Sequence, residues 1–203
     1  MNRNLQTDDV RVIRLHELES PSDLVKRLPV SPRAATTIGA ARDEIHRILT
    51  GEHDRSLVVV EGIVESRRTS LIRTMAELFK RYSKAALVVP LVPSESKSQV
   101  RYGASKSAHS IRGLFEHQRR TLLELNEAGI PAGAVLEDTI SPQYLSDLVS
   151  WGMVPIWAIE SQVHRELASG VSFPVCFCAR DSSTLKLAAD AVETAACQHL
   201  SSE

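Results

Sequence analysis

Five short apolar runs, each followed by a helical pattern, constrain this chain more than any other feature. Leu57–Val60, Ala85–Val92, Pro131–Leu136, Val154–Ala158 and Pro174–Phe177 are of strand length and apolar on both faces. Strands without polar/apolar alternation belong to sheets covered on both sides, and such sheets are parallel. Parallel neighbours need a crossover, normally a helix. Helical spacing lies between the runs: in Ser70–Lys84, residues Leu71, Ile72, Met75, Leu78 and Phe79 recur three and four apart. Ile111–Ala128 is amphipathic and stops at Gly129, Pro142–Trp151 reads as a helix, Ser161–Ser169 is followed by Gly170, and Ser182–His199 comes last. The pattern predicts an α/β fold of five β/α units.

A doubly wound sheet and part of a (β/α)₈ barrel both satisfy that order. The turn after the first run, Glu61-Gly62-Ile63-Val64, lacks the glycine-rich phosphate loop of nucleotide-binding sheets. A whole barrel takes roughly 250 residues, and positions 56 to 203 supply only 148. The expectation is a partial barrel over 56–203, preceded by a helical N-terminal extension over 1–55. In that extension Ser31 and Pro32 form a helix start, and Gly51 follows the last turn.

Charge and cysteine content narrow the function. A net charge of −1 gives no electrostatic case for nucleic acid or an anionic membrane. The longest apolar runs are far short of a membrane span. No apolar secretory segment opens the chain, and three cysteines, an odd number, point to reduced thiols and a cytoplasmic address. Cys176, Cys178 and Cys197 read as buried small hydrophobes. Cys176 and Cys178 share one strand face, with His164 on the preceding helix, but a closed zinc site wants four ligands and no second cluster is visible. His46, His53 and His117 read as solvent-facing. No cofactor and no metal ligand set is expected.

Several segments in fixed order carry a resemblance: ThrAspAspValArgVal (7–12), LeuHisGluLeu (15–18), the stretch 41–51, LeuAsnGluAlaGlyIleProAlaGly (125–133), and above all 140–175 with GluSerGlnValHisArgGluLeu. Together they resemble the class I 3-deoxy-7-phosphoheptulonate (DAHP) synthases, over that family's extension and first five barrel units. The resemblance implies a (β/α)₈-type fold and condensation of phosphoenolpyruvate with erythrose 4-phosphate at a divalent metal. It also implies arginines, lysines and metal ligands at the strand ends.

Those strand ends depart from the family pattern. Where the family places Gly-Pro-Cys-Ser after strand one, the cysteine position is Ile63. The arginine of strand two is Pro90, and the lysine of the following loop is Glu95. The glutamate of strand three is Val135, with Glu137 and Asp138 just beyond. The arginine before Glu-Ser-Gln is Trp157, and the lysine of Gly-Phe-Lys is Cys178. The resemblance therefore implies a packed, apolar barrel mouth without catalytic residues. The same likeness places Asp8 and Asp9 at the family's subunit-contact extension. It places Pro142, Gln143, Leu167, Val171 and Ser172 at or beside its aromatic amino-acid effector pocket. The reading is a noncatalytic protein of aromatic amino-acid biosynthesis, acting as a homo-oligomer or on a full-length DAHP synthase. The alternative is a catalytic synthase subunit, or an enzyme repurposed to condense phosphoenolpyruvate with an aldose phosphate.

Overall fold

A computed structural model describes residues 17–60, 68–92 and 111–197. Two helices lead: α1 (Pro21–Arg27) and α2 (Pro32–Leu49). Ser20 and Ser31 cap them by accepting backbone N–H bonds from Asp23 and Ala34, and a proline opens each helix. Gly51, at φ 76°, takes the left-handed conformation that ends α2 without steric cost.

The β/α alternation follows as β1 (Ser56–Val60), α3 (Arg68–Tyr82), β2 (Ala86–Val92), α4 (Ile111–Glu127), β3 (Gly133–Val135), α5 (Ser141–Leu145), β4 (Trp151–Val154), α6 (Gln162–Gly170), β5 (Val175–Phe177) and α7 (Ser182–Ala196). All five strands are parallel, in the order β1-β2-β3-β4-β5, so each crossover leads to the next strand. That sequential order is the order of a barrel, and the sheet is the curled part of a (β/α)₈-type fold.

The spans depart from the sequence pattern most at the fourth strand. The fourth strand is Trp151–Val154, not Val154–Ala158, and Ile156–Ala158 is a 3₁₀ turn. Pro155, which has no N–H for the ladder, ends the strand. The preceding helix is accordingly short: α5 stops at Leu145 and a 3₁₀ turn, Ser146–Leu148, leads into β4. Gly133 and Trp151 face each other across the β3–β4 register. A Cβ at Gly133 would stand 2.8 Å from the Trp151 carbonyl oxygen and 2.7 Å from Leu91 Cδ2, so only glycine lets these strands approach.

Alternation sorts the strand residues onto two faces. Val60, Val88, Val92, Ala134, Leu136, Val154, Val175 and Phe177 pack with Met75, Phe115, Leu122 and Leu125 of the surrounding helices. The concave face carries Leu57, Val59, Leu87, Val89, Leu91, Val135, Trp151, Met153 and Cys176, joined by Ile45 and Ile48 of α2. No helix among the described residues is long and apolar enough to cross a membrane.

Candidate functional site

The N-terminal ends of the strands are tied to the leading helices by three arginines. Arg42 of α2 donates through Nε and Nη2 to the Val149 carbonyl, at 2.9 and 2.7 Å, and through Nη2 to that of Ser146 at 2.8 Å. Its Nη1 reaches the Ser172 hydroxyl at 2.9 Å, and the guanidinium lies over the Phe173 ring. Burial lowers the pKa of Arg42, and the Asp147 charge opposes that shift. Arg55 bridges Glu44 of α2 and the Ala86 carbonyl at the start of β2. Arg119 of α4, with no exposed surface, donates to the Leu28 and Tyr144 carbonyls and, bidentately, to Asp147. These contacts hold α2 across the base of the sheet and make that end structural.

The sequence reading missed all three. Arg119 carried a signal, since it interrupts the apolar stripe Phe115, Leu122, Leu125 of its helix. A long cation on the buried face of a helix needs a partner, and Asp147 is it.

The opposite, C-terminal ends are where a barrel carries chemistry. Val135 is half-buried on the concave face, beside Met153 and Cys176. Glu137 is half-buried, and Asp138 accepts from the Ile140 and Ser141 backbone N–H groups and the Ser141 hydroxyl in the turn that leads into α5. Asp138 is thus committed to local structure.

Two features correct the picture of a packed mouth. Pro90 shares strand parity with Val88 and Val92, so it faces the helices rather than the concave side. Trp157 is 54% exposed, because the 3₁₀ turn after Pro155 turns it away from the strand face. Its ring meets His164 edge to face, with centroids 6.4 Å apart. Cys197, in turn, is exposed beyond the last turn of α7 rather than buried. Ile63 and Glu95 lie outside the described residues, as do Asp8 and Asp9.

Cys178 continues the β5 ladder, its N–H donating to the Val154 carbonyl at 3.0 Å. It lies on the same face as Cys176, and both are half-buried. Hydrogen bonding with Cys178, and then burial, push the Cys176 pKa well above the ordinary thiol range. His164 does not join them, its Nδ1 being 2.8 Å from the Ser161 hydroxyl. His46 is exposed, whereas His53 and His117 are half-buried, against the solvent-facing reading.

A divalent cation of the kind the resembled enzymes use needs carboxylate, imidazole or thiolate donors converging on one point. Among the described residues no three histidine, cysteine, aspartate or glutamate side chains converge in that way. The described residues therefore do not fit that ion.

The effector-side residues are placed but not assembled into a described pocket. Pro142 is buried in the first turn of α5 and Gln143 beside it is exposed. Leu167 and Val171, at the end of α6, pack against the core cluster containing Tyr144, Leu148 and Phe173. Ser172 is held by Arg42. The cavity lined by Pro142 and Phe173 has a volume of about 10 Å³, no more than one water occupies.

Comparison with known proteins agrees with this architecture. The chain is 34% identical over 206 residues to the Phe-sensitive phospho-2-dehydro-3-deoxyheptonate aldolase of Escherichia coli K12, matching 97% of this chain and 59% of that protein. It is 31% identical over 210 residues to the Trp-sensitive aldolase of the same strain, covering 98% of this chain and 60% of that one. The chain thus spans about three-fifths of the length of these relatives. The phospho-2-dehydro-3-deoxyheptonate aldolase of Francisella tularensis SCHU S4 superimposes with a TM-score of 0.82 at 28% identity, over 93% of this chain and 58% of that one. The sequence model of the DAHP synthetase I family matches residues 28–203, and the chain belongs to that family.

Proposed function

We propose that this chain is a noncatalytic member of its family that acts by association in aromatic amino-acid biosynthesis, in the cytoplasm. The observation that carries the reading is the chemistry of the strand ends. Val135, Met153 and Cys176 line the concave face and Trp157 is exposed at its rim. Phosphoenolpyruvate and an aldose phosphate are polyanions. Each charge-assisted contact to them contributes roughly 1.5–3 kcal/mol, and these positions supply none.

Association is supported by what the described surface exposes. β1 and β5 each have a single strand neighbour among the described residues. Leu185 and Val192 of α7, seven residues apart on one helix face, are 62% and 52% exposed. An exposed apolar helix face of this kind favours pairing with another chain. A second copy or a full-length synthase is the partner this reading assigns, with residues 1–55 as the subunit-contact extension. Aromatic amino-acid binding would then depend on the assembled complex.

Purified chain incubated with phosphoenolpyruvate, erythrose 4-phosphate and manganese tests the first half. No product is expected, and product formation overturns the noncatalytic reading. Sedimentation velocity of the chain alone, and co-purification of the tagged chain with a full-length synthase, test the second. A monomer that also fails to co-purify refutes association.

A further inference from the structure

We propose that Cys176, Cys178 and Met153 form a binding site for one soft monovalent metal ion, copper(I). The sequence supplies two thiols on one strand face, and only the sheet register adds the third donor. Met153 on β4 is the direct cross-strand partner of Cys176 on β5, and Cys178 lies one pleat further along the same face. Register and pleat therefore place the three residues as neighbours on one face of two adjacent strands, with Trp151 in the same cluster as Met153 and Cys176 on the N-terminal side. All three donors are half-buried, so an ion can reach them.

The donor set selects the ion. Thiolate and thioether sulfur are soft ligands that suit copper(I), which accepts two or three of them. Zinc would want four ligands and hard magnesium or manganese would want oxygens. Neither demand is met, as no three histidine, cysteine, aspartate or glutamate side chains converge among the described residues. Binding is a proton-for-metal exchange: each S–H that becomes a sulfur–copper bond releases one proton, and no electron is transferred. Because each coordinating thiol must give up its proton, affinity should rise with pH. This site is independent of the association proposed above.

The test is an anaerobic titration of the full chain with copper(I) in competition with the chromophoric chelator bathocuproine disulfonate. One ion per chain is expected, with affinity rising from pH 6 to 8. Cys176→Ser and Cys178→Ser should each weaken binding at least about tenfold, and Met153→Leu by a smaller factor. Cys197→Ser, which alters the exposed third cysteine, should leave it unchanged. Circular dichroism identifies any variant that does not fold. X-ray absorption of the copper-loaded wild-type chain then supplies a reading free of mutation, with an all-sulfur shell expected. Copper held equally by the Cys176→Ser/Cys178→Ser double variant, loss of binding on Cys197→Ser, or an oxygen and nitrogen shell would each overturn the proposal.

Discussion

Removing either end of the Arg119–Asp147 pair should destabilise the chain, and the two ends should not cost the same. Arg119 has no exposed surface, whereas the Asp147 side chain is 37% exposed. In Asp147→Ala the guanidinium keeps its bonds to Leu28 and Tyr144 but becomes a buried cation without a counter-charge. Breaking a buried pair in this way costs about 3–5 kcal/mol. In Arg119→Met the carboxylate can turn to water, so the charge penalty shrinks. Two carbonyls, however, lose a donor, at about 1–3 kcal/mol each where they stay buried. We expect about 4 kcal/mol for Asp147→Ala and about 3 kcal/mol for Arg119→Met. For a domain of this size the latter is a fall in Tm of roughly 6–12 °C. Urea denaturation should show a lower midpoint at unchanged slope. Because Arg119 also grips the Leu28 carbonyl between α1 and α2, limited proteolysis of Arg119→Met should begin in that connection. A loss below about 1 kcal/mol for both variants would refute the argument that this pair locks the leading helices to the barrel.

Two further outcomes follow from local geometry. Glu116 is held by Arg27 and by Arg120, which lower its pKa from 4.5 to about 2. A depressed carboxylate stabilises above its unfolded pKa, and that contribution disappears as pH falls from about 4.5 to about 2. The Tm gap between wild type and Glu116→Gln should therefore be open at pH 7 and close towards pH 2; a gap constant over that range refutes it. Gly133→Ala would drive a methyl to 2.8 Å from the Trp151 carbonyl and should cost about 1–3 kcal/mol in urea denaturation, whereas a neutral result would show that β3 and β4 can separate.

Much of the architecture was legible in the chain itself. Apolar runs covered on both faces dictate a parallel sheet, and Ser31–Pro32 with Gly51 bound α2 as read. The fourth strand was misplaced because Trp151-Gly152-Met153-Val154 and Val154-Pro155-Ile156-Trp157-Ala158 are equally apolar. Composition cannot choose between them; the missing N–H of Pro155 and the register against Gly133 do. That shift turned Trp157 from a mouth-filling residue into an exposed one.

What the sequence determined by itself was the fold class and the family likeness, since these depend on residue identity and order along the chain. Which groups meet was decided only by the tertiary structure. Arg42 reaches Ser172 across 130 positions and Arg119 reaches Leu28 across 91. Met153 comes beside Cys176 only through the β4–β5 register. Periodicity says which face a side chain takes, but partners far apart in the chain are chosen by how strands and helices pack.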